Sequence, residues 1–220
     1  MAEDKTEIAN LAGQILGADQ IMDLDEAENR TARELLLAYG PNLDELLASH
    51  DWNFARDRAS VPKLSTVPAF KYKFEYGWPK DAVEILSIDE GFSREGGENN
   101  TAGRLGGGDV YGSGTQFEVE GLKILTSKDI ITDLKVVNVP GLPVTFTKRI
   151  TQVAVYPAWF VTALYTRLAV QTAEAITGSN TLSAKAQGLF NKAFKFARWK
   201  NAQQGKQQRP LGTFLSVKAS

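Results

Sequence analysis

The chain has 220 residues, of which 43% are hydrophobic and 10% aromatic, and its net charge at neutral pH is −1. This composition supplies enough apolar material for a buried core and excludes a disordered chain. The lack of cysteine excludes disulfides, thiolate catalysis and every cysteine-based zinc site.

Charge is unevenly distributed along the sequence. Residues 1–51 carry twelve acids and three bases, residues 52–174 carry fourteen of each, and residues 175–220 carry eight bases and no acid. Segregated charge of this kind attracts a partner: the other end of the same chain, a second copy, or a different molecule.

The first 50 residues predict a compact set of three helices. Apolar residues from Thr6 to Leu16 recur with helical spacing, and Gly17 can end this helix in a left-handed turn. Asp23, with an acid three residues later, has the spacing of a capping box that begins a second helix. Gly40-Pro41 should end that helix, and a third should begin after Asn42.

A β-rich part should follow. Residues 71–76 alternate between charged and aromatic side chains, as expected of a strand with one buried face. Further strands are predicted at Val83–Ile88, Phe117–Thr126 and Leu134–Val139. Residues 96–114 contain eight glycines and predict a flexible loop, because they lack the Gly-Lys-Ser/Thr ending of a phosphate-binding loop.

Helical periodicity returns after Pro157, which suits the first turn of a helix. Residues 159–176 are apolar nearly all round, so this helix should be covered on all sides. They overlap with an apolar run, residues 153–170, that falls short of a clean membrane span, so we expect no membrane partner. Ser179 or Thr181 should cap a last helix. Its apolar stripe is Leu182, Ala186, Leu189, Ala193 and Ala197.

The order of helices, strands and helices predicts the α+β class. We expect N-terminal helices, a central antiparallel β-rich part, and a pair of long C-terminal helices that packs with the N-terminal helices. The predicted division is a helical part at residues 1–58 and 150–203, a β-rich part at 59–149, and a basic extended tail at 204–220.

No group of residues predicts catalysis. The only histidine, His50, stands near a predicted helix end, which is typical of a capping or surface residue. Residues 23–34 have calcium-loop spacing at their ends, but Ala27 and Glu28 occupy positions that require an oxygen ligand and a glycine. We therefore expect neither an enzymatic activity nor a cofactor or bound metal.

Residues 49–59, SHDWNFARDRA, predict a structural joint. Trp52 and Phe54 should pin the last N-terminal helix to the first β element, and their burial should contribute several kcal/mol. Arg56 and Arg58, with their acidic neighbours, should face water or a neighbouring subunit.

Five runs carry a resemblance to a known family. They are TEIANLAGQILG with Asn10, Leu16 and Gly17; SHDWNFARDRA with Trp52, Phe54 and Ala55; FKYKFEYGWPKDAVEIL with Tyr76, Pro79 and Asp81; FEVEGLKILTS; and YPAWFVTALYTRLAVQTAEAITGS. In this order they resemble the tail tubular protein A family of short-tailed phages, which are head–tail adaptors. Trp78 stands where leucine is more usual, and the glycine-rich segment and the basic tail are particular to this sequence.

The resemblance implies a structural virion protein of the phage tail, assembled in the host cytoplasm. It implies a ring, usually of about twelve copies, between the portal of the capsid and a tail nozzle of the tubular protein B type, with tail fibres as a further contact. The genome would pass through the ring without specific binding, because a channel lined by basic side chains would hold the phosphates of the DNA. The resemblance implies no catalytic residues.

The basic C-terminal region supplies candidate residues for docking to the portal or to a neighbouring subunit. They are Lys192, Lys195, Lys206, Arg209, Leu211, Phe214 and Leu215. The alternative, in which the acidic and basic ends pack together within one subunit, stays open. The rival function is a nucleic-acid-binding module on the basic C-terminal helix and tail. The aromatic residues of that helix fall on more than one face, so we expect most of them in the core.

Overall fold

The computed structural model describes residues 4–88, 116–127, 129 and 141–204. They form an α+β fold, as predicted, with four α-helices and two three-stranded antiparallel sheets. The glycine-rich segment 96–114, the predicted strand Leu134–Val139 and residues 205–220 of the predicted tail lie outside the described residues.

The helices form one layered core. They are α1 (Lys5–Leu16), α2 (Arg30–Ala48), α3 (Ala158–Thr177) and α4 (Asn180–Gln204). α3 packs against the other three, and its buried residues Phe160, Leu164 and Leu168 lie in one cluster with those of α1 and α2. This arrangement confirms the predicted packing of the C-terminal pair with the N-terminal helices.

The strands form two small sheets between α2 and α3 in the chain. They are β1 (Arg56–Val61), β2 (Phe74–Tyr76), β3 (Ala82–Ile88), β4 (Phe117–Glu120), β5 (Lys123–Thr126) and β6 (Leu142–Lys148). One sheet has the order β1-β6-β3 and the other the order β2-β5-β4. Both contribute to a second, smaller core around Tyr76, Ile124 and Val144. β1 begins three residues before the predicted boundary at residue 59.

The prediction of three N-terminal helices is wrong, because the structure has two. The second helix begins at Arg30, where the Asn29 side chain accepts a hydrogen bond from the Ala32 backbone N–H at 2.7 Å. Asp23 is therefore not a helix cap. Its carboxylate instead accepts from the Asp25 backbone N–H at 2.8 Å, which stabilises a loop.

Gly40-Pro41 does not end α2, which continues to Ala48. A proline inside a helix costs about 3 kcal/mol because it removes a backbone hydrogen bond and crowds the preceding turn. Leu35, Leu43 and Leu46 lie on one buried stripe that crosses the proline. Burial of each large side chain contributes about 1.5–3 kcal/mol, so the stripe outweighs the local break.

The predicted strand at residues 71–76 is shorter than expected. Only Phe74–Tyr76 pairs in a sheet, with β5 as its neighbour. Lys71 has a φ of 70°, a left-handed conformation that does not fit a β-strand. The alternation of charged and aromatic residues therefore extends beyond the strand itself.

Gly141 allows β6 to approach β1 closely. A Cβ atom at this position would lie 2.2 Å from the carbonyl oxygen of Val61 and 2.9 Å from the hydroxyl of Ser60. Any side chain here would force the two strands apart, because a contact to backbone at that distance cannot relax by rotamer change.

Candidate functional site at the joint and on helix α4

Trp52 is the centre of an aromatic cluster in the helical core. The side chain is fully buried, and its Nε1 donates a hydrogen bond to the carbonyl oxygen of Leu46 at 2.8 Å. Its ring centroid lies 5.4 Å from that of Phe160, 5.5 Å from Trp159 and 6.1 Å from Phe194. The ring therefore joins the end of α2 to both C-terminal helices.

Phe54 extends the same cluster. Its ring lies 4.7 Å from Phe160 and 6.2 Å from Tyr156, measured between centroids. The predicted joint thus has a different partner from the one expected, because Trp52 and Phe54 pack on α3 and α4 rather than on a strand. The helical core offers large aromatic partners, whereas β1 turns away immediately after the 3₁₀ turn Asn53–Ala55.

Asn201 of α4 locks the joint by hydrogen bonds that sequence reasoning missed. The residue is 4% exposed, and its Oδ1 accepts from the Asn53 backbone N–H at 2.8 Å. Its Nδ2 donates to the carbonyl oxygen of Asp51 at 2.8 Å. Its own carbonyl oxygen accepts from the Asn53 side chain at 2.8 Å. An asparagine on the buried stripe of a helix is the signal that could have revealed this contact.

His50 contacts the same residues of the joint. Its Nε2 lies 3.1 Å from the Asn201 Nδ2, and its ring packs edge-on against Trp52 at 4.8 Å between centroids. Burial lowers the pKa of His50, and the nearby Arg198 guanidinium lowers it further. The neutral imidazole can accept from the amide, so the contacts give this histidine a structural role.

The charged residues of the joint form ion pairs at the surface. Arg56 pairs with Asp51, and its Nε donates at 3.2 Å. Asp57 accepts from Lys148 Nζ at 2.9 Å, and this hydrogen bond lowers the pKa of the Asp57 carboxyl. The Arg58 side chain is exposed.

The outward side of α4 presents a surface that we call the basic face. It consists of Lys185, Lys192, Lys195, Phe196, Trp199 and Lys200. Phe196 and Trp199 are 50% and 52% exposed, and Lys200 Nζ lies 4.9 Å from the centroid of the Trp199 ring. The expectation that most aromatic residues of this helix are in the core is therefore wrong for half of them. Only Phe190 and Phe194 pack inward.

The predicted apolar stripe of α4 differs from the buried stripe by one position at Leu189. The predicted stripe included Leu189, which is 38% exposed, whereas the buried stripe runs through Ala186, Phe190 and Ala197 to Asn201. Ser179 caps the helix as predicted, since its hydroxyl accepts from the Leu182 backbone N–H at 3.4 Å.

Residues 18–29 form a surface that we call the acidic loop. It carries five acids and no base, and Asp19, Asp23, Glu26 and Glu28 are exposed. Met22 at its centre is 91% exposed. Asn10 of α1 holds the loop, because its side chain accepts from the Ile21 backbone N–H at 2.8 Å and donates to the Ile21 carbonyl oxygen at 2.9 Å.

An open groove of about 590 Å³ lies between α1 and the acidic loop. Asp4 and Glu7 provide acidic groups in its wall, and Leu11, Ile21 and Met22 provide apolar ones. This combination suits a partner side chain that is aromatic or apolar and is flanked by positive charge.

The two charged surfaces do not neutralise each other within the described part of the chain. No ion pair found there joins the acidic loop to the basic face, and the loop residue Asp25 pairs with Lys5. Of the predicted docking residues, Lys192 and Lys195 lie on the basic face. Lys206, Arg209, Leu211, Phe214 and Leu215 lie outside the described residues.

Comparison with known proteins adds no family to these observations. No protein-family model matches the chain, and no curated protein shows significant similarity to it. Among the described residues, no cluster of three or more His, Asp or Glu side chains could hold a metal ion. None of the helices in the described ranges has the length and apolarity needed to cross a bilayer.

Proposed function

We propose that the chain is a ring-forming head-to-tail adaptor of a tailed bacteriophage. It would be a structural virion protein that joins the portal to the tail nozzle and forms part of the genome ejection channel. The observation that carries this proposal is the pair of exposed surfaces on the helical part, one acidic around Met22 and one basic around Trp199. A closed ring requires two different and complementary surfaces on each subunit.

The residues that carry the family resemblance support a structural role. Asn10 holds the acidic loop, and Trp52 joins α2 to the C-terminal helices. Gly17 ends α1 with a φ of 71°, a conformation that favours glycine. Each of these residues shapes the subunit, and each role is compatible with a protein whose function is to assemble.

Cryo-electron microscopy of purified particles tests the proposal. We expect a ring of this chain between portal and nozzle, with the helical and β-rich parts resolved as separate densities. Particles that lack the chain would contradict the proposal, and so would turnover of a small molecule by the isolated monomer.

The basic tail provides a second test. Removal of residues 205–220 should abolish binding to tail-less capsids, because Leu211, Phe214 and Leu215 are the proposed portal contacts. The truncated chain should unfold at the same temperature as the full chain, since the deletion lies beyond the end of α4. Undiminished capsid binding by the truncated chain would remove the tail from the proposal.

A nucleic-acid-binding module is the second candidate function. The observation in its favour is the exposed pair Phe196 and Trp199, whose ring centroids lie 5.7 Å apart beside Lys200. Aromatic rings beside cations are typical of surfaces that stack single-stranded bases. Retention of single-stranded DNA at physiological salt, lost in Trp199→Ala, would favour this function over the adaptor.

A further inference from the structure

We infer that the basic face of α4 binds the acidic loop of a second copy of this chain. This inference rests on the proposed function, because it names the subunit contact of the proposed ring. It assigns Lys192 and Lys195 to that contact, and it leaves the portal to other parts of the chain.

Most of the basic face points away from the subunit. Of its residues, Lys192 and Phe196 border a second open groove of about 500 Å³, which residues of α1 and α3 also line. Lys185, Lys192, Lys195 and Trp199 follow the spacing of one helical stripe, opposite the buried residues that pack on α3. α4 carries five bases and no acid, and none of its cations takes part in an ion pair within the described residues. The face therefore keeps its positive charge available.

The acidic loop matches this face in both charge and apolar content. It carries five acids against the four lysines of the basic face, and the exposed Met22 lies among its carboxylates as Trp199 lies among the lysines. The groove beside the loop offers a place for Phe196 or Trp199 against Leu11 and Met22. Burial of these rings would hold the contact, while the charges steer it and exclude like surfaces.

The two surfaces differ, so a contact between them is heterologous. One copy would offer its basic face to the loop of the next copy, and its own acidic loop would stay free for the previous one. Repetition of this contact gives a ring if the rotation closes.

Charge reversal on exposed residues tests the contact in the full chain. One variant is Lys192→Glu with Lys195→Glu, and the other is Asp19→Lys with Glu26→Lys. Sedimentation velocity at about 0.01 M salt, where the Debye length is about 30 Å, measures self-association. We expect wild type to form species larger than dimers, and each variant alone to associate at least about tenfold more weakly, because one of the two surfaces loses nearly all of its net charge.

An equimolar mixture of the two variants is the decisive sample. The unchanged basic face of the loop variant should bind the unchanged acidic loop of the face variant, whereas the two altered surfaces have little net attraction. The mixture should therefore form a 1:1 heterodimer with an affinity within about threefold of the wild-type contact, and no larger species. The matched control is Lys73→Glu with Lys80→Glu, two exposed lysines of the β-rich part. It makes the same change in net charge as the Lys192/Lys195 variant and should associate like wild type.

Several results would overturn the inference. They are a wild type that stays monomeric at low salt, variants that associate normally, a mixture that forms no heterodimer, or a control that fails equally. Loss of DNA retention in the Lys192/Lys195 variant, with no self-association in wild type, would assign the face to nucleic acid instead. If particles that contain either variant alone still show the ring, this contact is wrong and the adaptor proposal stands. Absence of the chain from particles would overturn the adaptor and leave the measured contact intact.

Discussion

The helical and β-rich parts bury their side chains in different ways. The helical core contains Trp52, Tyr156, Phe160 and several leucines, all fully buried and in contact with one another. The β-rich core is smaller, and ion pairs at its surface supplement it. Examples are Lys148 with Asp57 at 2.9 Å and Lys123 with Glu75 at 2.9 Å.

This difference shows where each part is vulnerable. Apolar burial depends little on pH or salt, so the helical part should respond mainly to changes in side-chain volume. The small sheets have less apolar area to lose, so close backbone packing and charge pairs carry more of their stability. Four substitutions or conditions can test this contrast.

The largest effect should come from Trp52→Ala in the helical part. Loss of a fully buried tryptophan leaves a cavity among four aromatic neighbours and costs about 3–5 kcal/mol of unfolding free energy. Urea denaturation of the purified chain measures this change. The variant should also assemble poorly, because the position of α4 depends on the cluster.

Trp52→Phe is the matched control. It keeps an aromatic ring but loses the hydrogen bond to Leu46, so it should cost clearly less than the alanine variant. Equal losses in the two variants, or normal incorporation of Trp52→Ala into particles, would show that the cluster does not position α4.

Gly141→Ala should give the next largest effect, and in the β-rich part. The added Cβ would meet the Val61 carbonyl oxygen at 2.2 Å, so we expect a loss near the upper end of the about 1–3 kcal/mol typical of overpacking. Hydrogen exchange should show faster exchange in β1 and β6 than in α3. Gly188→Ala in α4 meets no atom within 4 Å and should be neutral or slightly stabilising.

Asn201→Ala should cost about 2 kcal/mol, because it leaves the Asn53 N–H and the Asp51 carbonyl oxygen without their buried partner. Asn201→Asp keeps the acceptor for Asn53 but places a buried carboxylate oxygen against the Asp51 carbonyl oxygen, so it should cost at least as much. Thermal unfolding of the two variants compares them. A stability of Asn201→Ala equal to that of wild type would mean that the hydrogen bonds do not lock the joint.

A change of pH should have the smallest effect, and the helical and β-rich parts should lose stability in different pH ranges. Burial lowers the pKa of His50 below its ordinary value of 6.5. The unfolded chain therefore binds the proton more readily, and stability falls as pH drops below about 6.5. The hydrogen bonds of Glu75 with Thr66 and Lys123 lower the pKa of Glu75 below its ordinary value of 4.5, so the stability that they contribute is lost only at lower pH.

Unfolding followed by tryptophan fluorescence across this pH range measures both steps. His50→Gln should remove the upper step and leave the lower one, because glutamine does not titrate. If the upper step persists in His50→Gln, another group causes it.

The sequence predicted the elements whose residues follow a strong period. The apolar repeat of α1 and the all-round apolar surface of α3 were enough to locate both helices. At Gly40-Pro41 a local stop signal was overruled by burial of leucines on both sides of it. At Lys71 a strand pattern was overruled by a left-handed residue. Local signals cannot report such tertiary effects.

For the candidate site, too, the sequence identified residues but not their distant partners. Trp52 and Phe54 were identified as a joint from their chemistry, but their partners on α3 and α4 are about a hundred or more residues away in sequence. Asn201 was missed because its partners lie at positions 51 and 53. The basic face became visible only when the buried side of α4 was known.

The β-rich part lies between two pairs of helices that share one core, and this order has a consequence for synthesis. α1 and α2 leave the ribosome long before α3 and α4 exist, and translation proceeds at about 5–20 residues per second. For several seconds the leucines of α2 in the nascent chain are therefore exposed and accessible to chaperones. Trp52 can complete its contacts only when α4 has been synthesised. A copy truncated before α3 would keep this apolar surface exposed.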